Sequence, residues 1–213
     1  MTGRYWIETL GCPKNQVDSD KLAGTLVGDG LEAAAGPEEA DLVVVNTCAF
    51  IEAARQESID TVLALADARR DGARLVVTGC MAERYGAELA EALPEVDLVA
   101  PFGVALHDGP VRPDVVGPAP TPVALTTKPA APGAPVPSFD LLNLPRPASA
   151  APWAYVKVAE GCDRACGFCA IPSFRGRQRS RTRDAVLDEI DQLAAAGTLS
   201  EVVLVAQDLA SYG

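Results

Sequence analysis

Apolar and polar positions alternate between two periods along the first half of the chain. Three short, β-rich runs each end at a cysteine: RYWIETL at Cys12, DLVVVNT at Cys48 and RLVVTG at Cys80. Between them, about Gln16–Asp29 and Ile51–Arg70 carry apolar residues at helical spacing (Val17, Leu22, Leu26; Ile59, Val62, Leu63, Leu65). A further helix is expected near Glu83–Leu93, stopping before Pro94, and DLVAPFG reads as a last strand. Strand–helix alternation of this kind predicts a parallel sheet wrapped by helices. The unbroken Leu42–Val45 run fits a strand covered on both faces.

The pattern stops at residue 109. Residues 109–152 hold 12 of the 17 prolines and almost no charge, a composition that sustains neither helix nor central strand and reads as a linker. Beyond it come AYVKVAEGC as strand and loop, a helix at about Arg183–Ala196, and SEVVLVAQ as another strand. The division is therefore 1–108, a linker 109–152, and 153–213. The fold class is α/β: an N-terminal parallel-sheet domain, then the start of a partial (β/α) barrel. Only two strands of that barrel are expected, and the sequence stops just after the second, so a truncated chain is expected.

Charge separates the halves. Residues 1–108 carry 8 Lys/Arg against 19 Asp/Glu, which accounts for the whole net charge of −11. Such a domain repels a phosphate backbone and suits a basic protein partner, although an acidic surface also serves solubility. No apolar run follows a basic start, and none is long enough to span a membrane. Six cysteines without a secretory signal point to metal-held thiols in a reducing compartment, and hence to the cytoplasm.

Those cysteines form two sets. Cys162, Cys166 and Cys169 make CxxxCxxC in EGCDRACGFCAIP. Three thiolates on one loop can hold three irons of a cubane cluster that normally takes four. The remaining iron then keeps an open coordination position, the mark of a catalytic rather than a structural site. S-adenosylmethionine can fill it. A zinc knuckle borrowing a fourth ligand, or coincidence, are the competing readings. Cys12, Cys48 and Cys80 lie 36 and 32 residues apart, about one strand–helix–strand repeat each. All three fall at the C-terminal ends of expected strands, which share one edge of a parallel sheet, where ligand sites form. Cysteines that merely fill a core are expected inside strands instead.

Weaker signals remain. Arg175, Arg177, Arg179, Arg181 and Arg183 alternate along FRGRQRSRTR and suit gripping a carboxylate, a cofactor or an acidic loop, or else lie on a solvated basic strand. His107, the single histidine, is expected at the surface or as a cap, and Trp6 and Trp153 in packing. There is no phosphate-binding glycine loop and no Ser/His/Asp set.

With both sets placed, the chain resembles the radical methylthiotransferases. The resemblance rests on LGCPKNQVDSD (10–20), VVNTCAFIEAARQESID (44–60), VVTGCMAERY (76–85), YVKVAEGCDRACGFCAIPSFRGRQRSR (155–181) and LVAQDLASYG (204–213). GCPKN and CAIPSFRG look like the branch that modifies a ribosomal protein; the transfer-RNA branch typically reads GCQMN and a Pro-Tyr-Thr-Arg-Gly run. The resemblance implies an N-terminal methylthiotransferase domain and the start of a radical S-adenosylmethionine domain, with two 4Fe-4S clusters. The cluster on Cys162, Cys166 and Cys169 would cleave S-adenosylmethionine to a deoxyadenosyl radical. That radical would take hydrogen from the β-carbon of an aspartate on small-subunit ribosomal protein twelve. The cluster on Cys12, Cys48 and Cys80 would carry or supply sulfur, which a second S-adenosylmethionine methylates. By position, Phe168 is expected near the adenine, and Gln207 and Asp208 near the cofactor or substrate. A flavodoxin- or ferredoxin-like electron donor is implied. The alternative substrate is an adenosine of transfer RNA.

Overall fold

The computed structural model describes residues 3–107, 141–149, 151–195 and 197–213. The first part runs β1 (Arg4–Thr9), α1 (Pro13–Gly28), β2 (Glu32–Ala33), β3 (Leu42–Thr47), α2 (Glu52–Ala68), β4 (Arg74–Gly79), α3 (Cys80–Ala92) and β5 (Leu98–Val99). Its sheet has the order β2-β1-β3-β4-β5, and every pairing is parallel. The central strands alternate between two cores, as a doubly covered sheet requires. Val43, Val45, Leu75 and Val77 pack on one side with Val62, Leu65 and Leu89; Leu42, Val44 and Val76 pack on the other with Leu22 and Leu26.

The second part runs β6 (Trp153–Lys157), β7 (Ala159–Glu160), α4 (Ile171–Arg175), β8 (Arg179–Ser180), α5 (Arg183–Ala194) and β9 (Glu201–Val205). Strands β6 and β9 pair in parallel, with α5 against β6 as the crossover, while β7 and β8 pair antiparallel. Helix α1 contacts both β1 and β6, so it is the shared layer between the two sheets. The single turn Leu141–Asn143 lies on α1 and buries Leu141 in the first part's core.

Several boundaries differ from the sequence reading. Helix α3 begins at Cys80 itself, not near Glu83, because Gly79 at φ 90° turns the chain directly from strand to helix. The edge strand β2 carries no hydrophobic alternation and was not expected, and β5 is only two residues long. Leu63 is exposed, since Val62 and Leu65 supply the buried face of α2. Trp6 packs against the core as expected, but Trp153 is 43% exposed, its ring set edge-on to Tyr155 at 5.0 Å. His107 meets Asp29 at 3.1 Å near the surface. The linker reading falls outside the described residues for 109–140 and 150. Residues 141–149, by contrast, pack between the two parts: Arg146 pairs with Asp20 of α1 and Glu189 of α5. None of the described helices is long and apolar enough to cross a membrane.

Candidate metal centres

Strands β3 and β4 are in register with Thr47 opposite Gly79, so the next residues, Cys48 and Cys80, emerge side by side at the C-terminal edge of the sheet. Cys12 caps the N-terminus of α1 just past β1, ahead of Pro13, whose fixed φ suits the first helical position. The two chain segments touch closely. A Cβ placed on Gly11, at φ 91°, would stand 2.7 Å from Cys48 Cβ and 2.9 Å from its Sγ. Only glycine fits there, because Cys48 packs directly against the backbone of the residue before Cys12. Cys48 and Cys80 are buried, and Cys12 is half-buried.

A hydrogen-bonded frame holds this edge. Asn15 Nδ2 donates to the carbonyls of Leu10 and Thr47 at 2.9 and 3.0 Å, tying the ends of β1 and β3. Asn46 Nδ2 donates to Asn15 O and Ser19 Oγ, both at 2.9 Å. Ser58 of α2 accepts from the Cys48 amide and donates to the Cys48 carbonyl, each at 3.1 Å. Burial pushes the Cys80 thiol up, with Arg175 pulling against it.

Cys162, Cys166 and Cys169 lie on the loop between β7 and α4. Cys162 is buried, Cys169 half-buried and Cys166 exposed. The Cys162 amide donates to Gly176 O, the Cys169 amide donates to Cys166 O, and the Arg164 amide points at Cys162 Sγ from 3.4 Å. Phe168 is 87% exposed, and Gly167 beside it has open space. Gln207, just past β9, donates through Nε2 to Glu160 at 2.6 Å, while its buried Oε1 has no partner among the described residues. Asp208 instead binds Arg164 at 2.6 Å and Ser211 at 2.7 Å.

All six cysteines are free thiols. Among the described residues no three His, Cys, Asp or Glu side chains converge on the point a single metal ion would need. A four-iron cubane is a larger body, and its thiolates stand correspondingly further apart. The donor chemistry of both sets, three free thiols each, fits iron–sulfur ligation. The orphaned Gln207 oxygen and the open face at Phe168 leave room and a polar contact for a ligand beside the loop.

Between the two sets runs a buried chain of charges. Lys157 of β6, wholly buried, pairs with Asp18 of α1 and, at 2.7 Å, with Glu160 of β7. Arg175 pairs with the same two carboxylates at 2.9 and 3.2 Å. Burial alone would raise the Glu160 carboxyl, but Lys157 and Arg175 outweigh it and hold it far below the ordinary range. A second knot joins Lys21 of α1 to Glu189 of α5 at 3.4 Å, with Arg181 on the same carboxylate. The arginine run thus resolves by position: Arg175 and Arg181 are buried on acidic partners, while Arg177 sits outside on Asp163. Asn15, Asp18 and Ser58 stand in the sequence only within the quoted motifs and carry no role there, because polar helix residues look like a solvated face.

Residues 4–101 match the model of the uncharacterized protein family UPF0004, and residues 156–212 match the radical SAM superfamily. The ribosomal protein uS12 methylthiotransferase RimO of Anaeromyxobacter sp. (strain Fw109-5) is 43% identical over all of this chain. Enzymes of that name from Myxococcus xanthus and Geobacter sulfurreducens are each 42% identical, over 98% and 96% of it. Over nearly its whole length the chain is thus similar to the radical S-adenosylmethionine methylthiotransferases. It spans less than half of each of these relatives, between 42% and 44% of their length. The radical SAM superfamily, which residues 156–212 match, implies one 4Fe-4S cluster and S-adenosylmethionine.

Proposed function

We propose that this chain is the N-terminal methylthiotransferase domain and the opening of the radical domain of an enzyme that methylthiolates the β-carbon of an aspartate on ribosomal protein uS12. The observation that carries this is the pair of three-cysteine sets on two parts that share helix α1, combined with relatives named for that substrate. Cys162, Cys166 and Cys169 would hold a 4Fe-4S cluster, whose chemistry when bound would be one-electron cleavage of S-adenosylmethionine, with a flavodoxin- or ferredoxin-like protein as electron donor. Cys12, Cys48 and Cys80 hold a second 4Fe-4S cluster as the sulfur site. An unactivated C–H bond lies outside acid–base chemistry, so the protein's task is placement. Phe168 offers an aromatic face to the adenine, Gln207 Oε1 an acceptor for the cofactor, and Asp208 fixes Arg164 on the cysteine loop. The acidic first domain suits a basic protein substrate in the cytoplasm.

The test supplies reduced, reconstituted protein of the length its relatives span with S-adenosylmethionine, sulfide, uS12 and transfer RNA. Peptide mass spectrometry is expected to find a methylthio group on one uS12 aspartate. A methylthiolated adenosine with no gain on uS12 would overturn the substrate.

A further inference from the structure

The guanidinium of Arg175 divides its donors. Nη1 serves carboxylates, Asp18 at 2.9 Å and Glu160 at 3.2 Å. Nη2 turns the other way, to Asn15 Oδ1 at 2.8 Å and Cys80 Sγ at 3.1 Å. Phe102 covers the group, its ring centre 4.5 Å from Cζ. Arg175 is the last residue of α4, six positions after Cys169, so a side chain of the second cysteine segment ends on a thiol of the first.

The two carboxylates alone do not require this arrangement. Lys157 already pairs with both, and a second ammonium could neutralise them equally. Only a planar fork reaches carboxylates and a sulfur at once. Hydrogen bonds and positive charge at cluster sulfurs raise the reduction potential, because they favour the more negative, reduced form. We propose that Arg175 is a positioning residue for the first cysteine set, its Nη2–H donating to the Cys80 thiolate so as to hold that ligand and raise the potential of the cluster bound there. This rests on the reading of Cys12, Cys48 and Cys80 as a cluster site. It makes the second segment part of the first site's electronic surroundings.

The test places substitutions in a Cys162/Cys166/Cys169→Ala background, where the first set alone holds iron, and follows its potential by paramagnetic resonance. Arg175→Lys keeps the charge and loses the fork. It is expected to lower the potential by about 59 mV, a tenfold change in the reduced-to-oxidised ratio for one electron. Asp18→Asn removes a carboxylate from the Nη1 side and leaves the sulfur contact, so it should raise the potential. A purely structural Arg175 predicts no such opposition of sign. Loss of iron from a folded Arg175→Lys protein also supports the role, since Cys80 is then unheld. An unchanged potential at full iron content would overturn it. Should the variants fail to fold, isotopically labelled arginine nitrogens in the unsubstituted protein should couple magnetically to the reduced first-set cluster, and absence of coupling would overturn the proposal. No iron at the first set in the parent would instead sink the cluster reading itself.

Discussion

At the scale of single residues, the buried charges decide most. Asp18 neutralises Lys157 and Arg175, and neither cation can reach water. Removing one partner of a buried pair costs about 3–5 kcal/mol, mainly because the other charge is left stranded. Asp18→Ala is expected to lower unfolding stability by that much in urea titration; a loss under 1 kcal/mol would show the network to be wet. Glu83 behaves oppositely. It accepts a hydrogen bond from the Phe102 amide, yet burial raises its carboxyl from 4.5 to about 7. A raised carboxyl adds stability that is complete below pH 4.5 and lost as pH rises through about 7. Glu83→Gln keeps the acceptor oxygen and removes the ionisation. Its stability relative to the parent should therefore improve between pH 5 and pH 8, by up to ~3 kcal/mol. A difference independent of pH would contradict this.

At the scale of elements, α1 shows what a sequence reveals and what it conceals. Its existence, and that of β1, β3, β4 and α2, follow from hydrophobic spacing, because those residues face an apolar core. The position of three cysteines at strand ends follows from the same spacing, and the structure sets Cys48 and Cys80 side by side there. The other face of α1 carries Asn15, Asp18 and Lys21, all fully buried against the second part. Periodicity cannot distinguish water from a second layer of complementary charge, so that interface was illegible. Gly24 marks the same contact: a Cβ there would meet Pro145 O at 2.5 Å, whereas one on Gly28 meets nothing within 4 Å. Alanine normally gains about 1 kcal/mol over glycine in a helix. Gly28→Ala should raise Tm, while Gly24→Ala should lower it by forcing residues 145–146 off the helix. Equal rises in both would mean that this packing is loose.

At the scale of the whole molecule, helix α1, the turn Leu141–Asn143 and the ionic knots hold the two sheets as neighbours. That places the sheet-edge thiols and the cysteine loop on one body, joined through Arg175. Each three-cysteine set is expected to hold its own four-iron cluster. Iron and sulfide analysis after anaerobic reconstitution tests it most directly, on the parent and on two variants, Cys12/Cys48/Cys80→Ala and Cys162/Cys166/Cys169→Ala. About eight irons and eight sulfides are expected in the parent and about half of each in either variant. Loss of all iron from one variant, or stoichiometric zinc in the parent, would contradict it.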